Sequence, residues 1–156
     1  MRLPRLLAVA AFVLLAVAAL GCSDPVSPRG VSGHYVLVSI NGEPLPYTVL
    51  QPIPEETITV LNGTVSLDFE GNATVAELRR EHPQNNPTET TYTRASRYEL
   101  DESTISFGFP QPCPINAVCT GTAEGVVTES GLSVNVRSGF LDRPLTYQYR
   151  RAIPID

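Results

Sequence analysis

From Gly33 to Arg151 the chain alternates apolar and polar residues in short runs, each closed by a turn former. In "TVSLDF" Val65, Leu67 and Phe69 share one phase and Thr64, Ser66 and Asp68 the other; "LSVNVRS" does the same through Leu132, Val134 and Val136. "TISFGF" aligns Ile105, Phe107 and Phe109, "LTYQYR" aligns Leu145, Tyr147 and Tyr149, and "RYEL" aligns Tyr98 with Leu100. A period of two puts one face of a strand in the core and the other in water. Asn62-Gly63, Glu70-Gly71-Asn72 and Ser130-Gly131 are hairpin-type turn signals between such runs.

The pattern predicts strands over 34–41, 57–62, 64–69, 73–81, 90–100, 103–109, 121–129 and 131–138, with 144–151 as a ninth. No segment sustains a helical period; the one candidate, "TVAELRREH", sits between strand-like neighbours. About 120 residues of successive hairpins form one domain. Two long free edges invite aggregation, and closure removes them. The expected fold is therefore all-β, an up-and-down antiparallel barrel of about eight strands, with a sandwich as the alternative.

The amino terminus has a different composition. Arg2 and Arg5 precede an uncharged apolar run from Leu6 to Leu20, which describes a secretory signal. That run is short for a bilayer span, which needs roughly 20 residues. "ALGC" resembles a bacterial lipobox, with Gly21 before Cys22; Ala19 and Leu20 stand where the usual order is a large aliphatic and then a small residue. The resemblance implies cleavage after residue 21 and lipidation of Cys22, and Ser23 after it implies the outer membrane of a Gram-negative envelope. The expected layout is a lipoprotein signal at 1–21, a proline-broken flexible tether at 22–32 and the barrel domain at 33–156. Each buried acyl methylene adds roughly 0.8 kcal/mol, so two or three chains hold a small domain on a membrane.

Past residue 21 the acids outnumber the cations by about seven and every cation is arginine, which argues against a nucleic-acid partner and removes lysine Schiff-base chemistry. Cys113 and Cys119 bracket "PINAV". In an exported protein such a pair is expected to form a disulfide, worth roughly 2 kcal/mol for so small a loop; a metal or redox pair is the rival reading.

"SGHYVLVSINGEPLP" resembles the opening strand and turn of small lipocalin-like bacterial lipoproteins, through Gly33, Tyr35, Leu37, Asn41, Gly42, Leu45 and Pro46. "GTVSLDFEGNAT", "RYELDESTISF" and "LTYQYRR" are similar to later hairpins and the closing strand of that family. In such calycin-type barrels a first-strand tryptophan packs under a last-strand arginine. This chain has no tryptophan, and the resemblance implies a reduced version, Tyr35 with Arg150 or Arg151, against the alternative that these arginines are simply solvated.

Catalytic signals are sparse. His34 and His82 are the only histidines, neither lies at metal-ligand spacing, and no HExxH or GxSxG motif occurs. The expectation is a binding protein with no catalytic residues, no cofactor and no metal. An eight-stranded barrel either fills with side chains or holds one small ligand. Tyr35, Leu37, Leu67, Phe69, Tyr98, Phe107, Tyr147 and Tyr149 are the candidate lining residues, suited to a hydrophobic or amphiphilic ligand if the barrel is hollow. The proline-rich connection 41–56, with Tyr47, Leu50 and Ile53, is a candidate lid in the resembled family's manner. The alternative is a filled core and a structural or inhibitory lipoprotein whose loops contact another envelope protein.

Overall fold

A computed structural model describes residues 28–50, 57–82, 86–113, 119–139, 141 and 143–152. A single helical turn, α1 (Pro28–Val31), precedes ten strands: β1 (Gly33–Ile40), β2 (Glu43–Pro44), β3 (Tyr47–Leu50), β4 (Thr57–Leu67), β5 (Asn72–His82), β6 (Thr88–Asp101), β7 (Thr104–Gln111), β8 (Cys119–Val127), β9 (Gly131–Val136) and β10 (Leu145–Arg151). All pairings are antiparallel and follow chain order from β4 to β10. β1 joins β10 on one side (Leu37↔Tyr149) and β4 on the other (Tyr35↔Val65), which closes an eight-stranded up-and-down barrel. Closure satisfies the edges that the hairpin series would otherwise leave open. The short β2 and β3 extend the sheet from the ends of β1 and β4.

The two Asn-Gly pairs do different work. Asn41 (φ 53°) and Gly42 (φ 84°) form the two-residue turn between Ile40 and its partner Glu43, the geometry of a hairpin turn with both central residues left-handed. Asn62-Gly63, expected as a turn, instead lies inside one continuous β4, so the predicted strands 57–62 and 64–69 are a single element. The register slips between Val60 and Asn62, and this bulge moves the inward phase from Ile58 and Val60 to Gly63, Val65 and Leu67. Gly63 sits under Leu37, whose Cδ2 lies 3.0 Å from where a Cβ would be. A second slip, between Leu37 and Ser39, throws Val38 outward and brings Ile40 into the core.

The base of the barrel carries the start of β1, the end of β10 and the turns after β4, β6 and β8. It is plugged by α1: Val31 is 2% exposed, the Tyr35 hydroxyl donates to the Val31 carbonyl at 2.6 Å, and the Arg151 guanidinium donates to the carbonyls of Gly30 (3.1 Å) and Ser32 (2.5 Å). The opposite end, the mouth, is where β1, β5, β7 and β9 finish.

Towards the mouth the wall opens. β6 pairs with β5 from Thr88 to Arg97, but its ladder with β7 covers only Tyr98↔Phe107 to Asp101↔Thr104. Beyond that the Gly108 N–H donates to the Ser96 hydroxyl at 2.9 Å. Because the Tyr98 N–H donates to Gly71 on the β5 side, the odd-numbered residues of β6 aim their backbone groups away from β5. Thr91→Pro is therefore expected to be tolerated within about 1 kcal/mol in urea unfolding, since it removes an N–H on an edge without a ladder partner. A loss comparable with a central-strand proline would show that this edge is paired.

Candidate functional site

Polar chemistry in the barrel collects in its mouth half, on a strand whose inward phase begins apolar. β5 points Ala73, Val75, Glu77, Arg79 and Glu81 inward, and all five are buried. Arg79 donates from Nε and Nη2 to the two carboxylate oxygens of Glu77 (3.1 Å each), from Nη2 to the Pro110 carbonyl (2.5 Å) and from Nη1 to the Gln111 carbonyl (3.2 Å). Both partners of the ion pair are 2% exposed. Arg79 thus spans from β5 to the β7 edge that β6 has left, and its side chain takes the Pro110 carbonyl that a neighbouring strand would have taken. Pro110 fits that edge because it has no N–H to satisfy there.

Tyr92 lies on the splayed part of β6 with its ring 4.6 Å from the Arg79 guanidinium carbon, a cation–π contact, and its hydroxyl donates to Glu81. Burial works against the Arg79 charge, but the Glu77 carboxylate outweighs it and holds the arginine above its ordinary value. Burial and then the Glu81 carboxylate push the Tyr92 phenol up to about 12.

Below this cluster the interior is occupied by aromatic rings in succession. Phe107 to Phe109 is 6.4 Å between centroids, Phe109 to Tyr147 is 5.1 Å edge-on, and Tyr147 to Tyr149 is 6.4 Å stacked. The Tyr147 hydroxyl is buried with no hydrogen-bond partner, next to the fields of Glu77 and Arg79. Burial raises Tyr147 and Tyr149 well above the ordinary phenol range, and Tyr35 and Tyr98 more modestly.

A phenol raised in the fold binds its proton more tightly than in the unfolded chain. Its contribution is complete below pH 10 and is lost as pH climbs through the folded value, about 12 for Tyr92. Urea midpoints are expected to hold up to pH 10 and fall between there and pH 12. An ultraviolet titration showing ordinary tyrosinate formation near pH 10 in the folded protein would contradict this.

Of the eight expected lining residues, Tyr35, Leu37, Leu67, Tyr98, Phe107, Tyr147 and Tyr149 are buried. Phe69 is corrected: it is 67% exposed, because β4 ends at Leu67 and Phe69 falls in the following turn. The Tyr35 and Tyr98 hydroxyls are engaged at the base by the Val31 and Asp68 carbonyls.

Tyr47, expected in a lid, is instead part of the sheet. It lies in β3, packs against the core, and its hydroxyl accepts from Asn41 Nδ2 at 3.0 Å. Leu50 ends β3 opposite Thr57, while Ile53 lies outside the described residues, as do Cys22 and the signal segment.

The expected disulfide does not form: Cys113 and Cys119 are both thiols. Cys119 opens β8 opposite Gln111, the last residue of β7, and Cys113 lies two residues past that end with its thiol in hydrogen-bond contact with Cys119. Burial, then the neighbouring Cys119, pushes the Cys113 thiol up to about 11. Arg151 stands opposite Tyr35 in register, acts on its phenol electrostatically and with it clamps α1, while Arg150 is exposed; a cation–π contact forms between Arg79 and Tyr92. The histidines sit at opposite ends: His34 at the base, its Nδ1 2.9 Å from the Ser66 hydroxyl, and His82 at the mouth end of β5.

Sequence reasoning missed Glu77, Arg79, Glu81 and Tyr92. The signal was there in phase: Ala73 and Val75 are four and two positions before Glu77, so once they face inward the charged residues must follow.

No protein-family model, no curated protein and no solved structure matches the chain.

Proposed function

We propose that this protein is a lipocalin-like lipoprotein of the bacterial cell envelope, held at the outer membrane through Cys22, that acts by binding through its outer surface rather than by catalysis. The observation that carries the reading is contact across the interior: the rings of Phe107, Phe109, Tyr147 and Tyr149 lie against one another in succession, and the Glu77–Arg79 pair is buried at 2% exposure. A filled eight-stranded barrel leaves its wall and loops as the contact surface. The partner is then another envelope protein.

One observation favours a second reading, in which a small amphiphile enters from the mouth. The Tyr147 hydroxyl is buried and unpartnered, a state that costs about 1–3 kcal/mol unless something meets it. Tyr147→Phe separates the two readings. With a filled core it is expected to leave the fold as stable or up to about 1 kcal/mol more stable. With a ligand there, it should weaken uptake of a fluorescent fatty-acid analogue.

The direct test is native mass spectrometry of the protein extracted from its host membrane. A protein adduct together with the mass of a diacylglyceryl group on Cys22 supports the proposal. A lipid held in the barrel replaces it with the second reading, and an unmodified amino terminus removes the anchor.

A further inference from the structure

The base of the barrel carries an apolar residue that the fold does not use. Phe69 is the most exposed of the large hydrophobic side chains among the described residues. Its exposure is built into a braced turn. The Asp68 carboxylate accepts from the Glu70 N–H (2.9 Å), the Asn72 N–H (2.8 Å) and Asn72 Nδ2 (2.7 Å), and Gly71 takes the left-handed conformation (φ 88°). Arg97 donates to the Glu70 carbonyl at 2.8 Å and Tyr98 to the Asp68 carbonyl at 2.8 Å. These bonds fix the loop backbone, and the phenyl ring is left pointing out.

The same end carries the exit towards Cys22. α1 lies against the base, and Cys22 is six positions before Pro28. Six residues span at most about 20 Å fully extended, less than the roughly 26 Å length of an eight-residue strand such as β1. Next to the start of β1 an open groove of about 790 Å³ is lined by Gly33, His34, Ser130, Arg150, Arg151 and Ala152, with Glu129 also on its wall. Arg97, Arg150 and Arg151 flank the Phe69 sector; Asp68 and Glu70 adjoin Phe69 in its own turn, where the Asp68 carboxylate is taken up by the Glu70 and Asn72 N–H groups, and Asp101 and Glu102 lie at the β6–β7 turn, farther round the rim.

We propose that the sector of the base formed by the ends of β10 and β4 and the starts of β1 and β5 rests on the phospholipid headgroup layer, with the Phe69 ring inserted beneath it. This deepens the lipoprotein reading and rests on Cys22 being the anchor. A short leash turns the base to the bilayer, and the braced turn gives it an apolar foot; the flanking guanidinium groups meet headgroup phosphates. The acidic β6–β7 turn is tilted away.

The chain has no tryptophan, so Phe69→Trp installs a sole reporter at an exposed position. The full lipidated protein is reconstituted into phosphatidylethanolamine–phosphatidylglycerol vesicles whose acyl chains carry bromine, a contact quencher. Vesicle flotation reports the anchor separately. The proposal is supported by protein that floats and whose Phe69→Trp emission is shifted to the blue and quenched by the bromolipid. A Val38→Trp reporter on the barrel wall should show neither effect. Flotation with an unshifted, unquenched indole in the Phe69→Trp variant overturns the proposal and leaves the anchor standing. A blue shift without bromine quenching places the ring against protein and also overturns it. Failure to float removes the anchor, and this inference with it.

Discussion

Arg79→Met is expected to cost about 3–5 kcal/mol of folding stability, a large fraction of what holds a small domain folded. The loss has two sources. Glu77 stays buried at 2% exposure without the guanidinium it is paired with, and the Pro110 and Gln111 carbonyls lose the donor that bridges β5 to β7. Glu77→Met combined with Arg79→Met should recover much of the loss, because two apolar side chains of similar bulk leave no buried charge. It should not recover all of it, since the β7 carbonyls remain unanswered. Urea unfolding of the two variants measures both contributions. A single variant within about 1 kcal/mol of the parent would mean that water reaches the pair and that the wall is not closed by this side chain.

Gly125→Ala is expected to be nearly as damaging, at about 3 kcal/mol, the upper part of the range for forcing atoms into a packed core. Gly125 faces inward on β8 between Ala123 and Val127 and pairs with Val134. A Cβ there would stand 2.0 Å from the Ser133 carbonyl oxygen and 2.7 Å from the Val134 Cα. Both are backbone atoms of the partner strand, so no rotamer change relieves the clash, and β9 must move as a unit. Gly139→Ala serves as the comparison: a Cβ there meets nothing within 4 Å, and the change is expected to lie within about 0.5 kcal/mol. Thermal unfolding of the two variants side by side gives the answer, and equal midpoints would refute the close approach of β8 and β9.

Both predictions concern residues that carry no motif. Gly125 reads in sequence as a weak point in "TAEGVV", and Arg79 as one of several charges in "AELRREH". The strand there was legible, as were the alternation of "TISFGF", "LSVNVRS" and "LTYQYR" and the closed barrel that joins them. What alternation could not reveal is a change of phase. The bulges at Leu61 and Val38 each insert one residue, and from that point the inward set shifts by one. The same limit explains Phe69, which continues the pattern of Val65 and Leu67 on paper but lies past the end of β4.

The sequence by itself determined the class of fold. Period-two patterning and turn formers are local, and they act on each hairpin independently of the others. Only the tertiary structure decided that Asn62-Gly63 bends a strand while Asn41-Gly42 reverses one. It also decided that β6 parts from β7 near the mouth and that an arginine on β5 bridges the opening. These outcomes depend on which backbone groups find partners across the barrel, and such partners lie dozens of residues away along the chain.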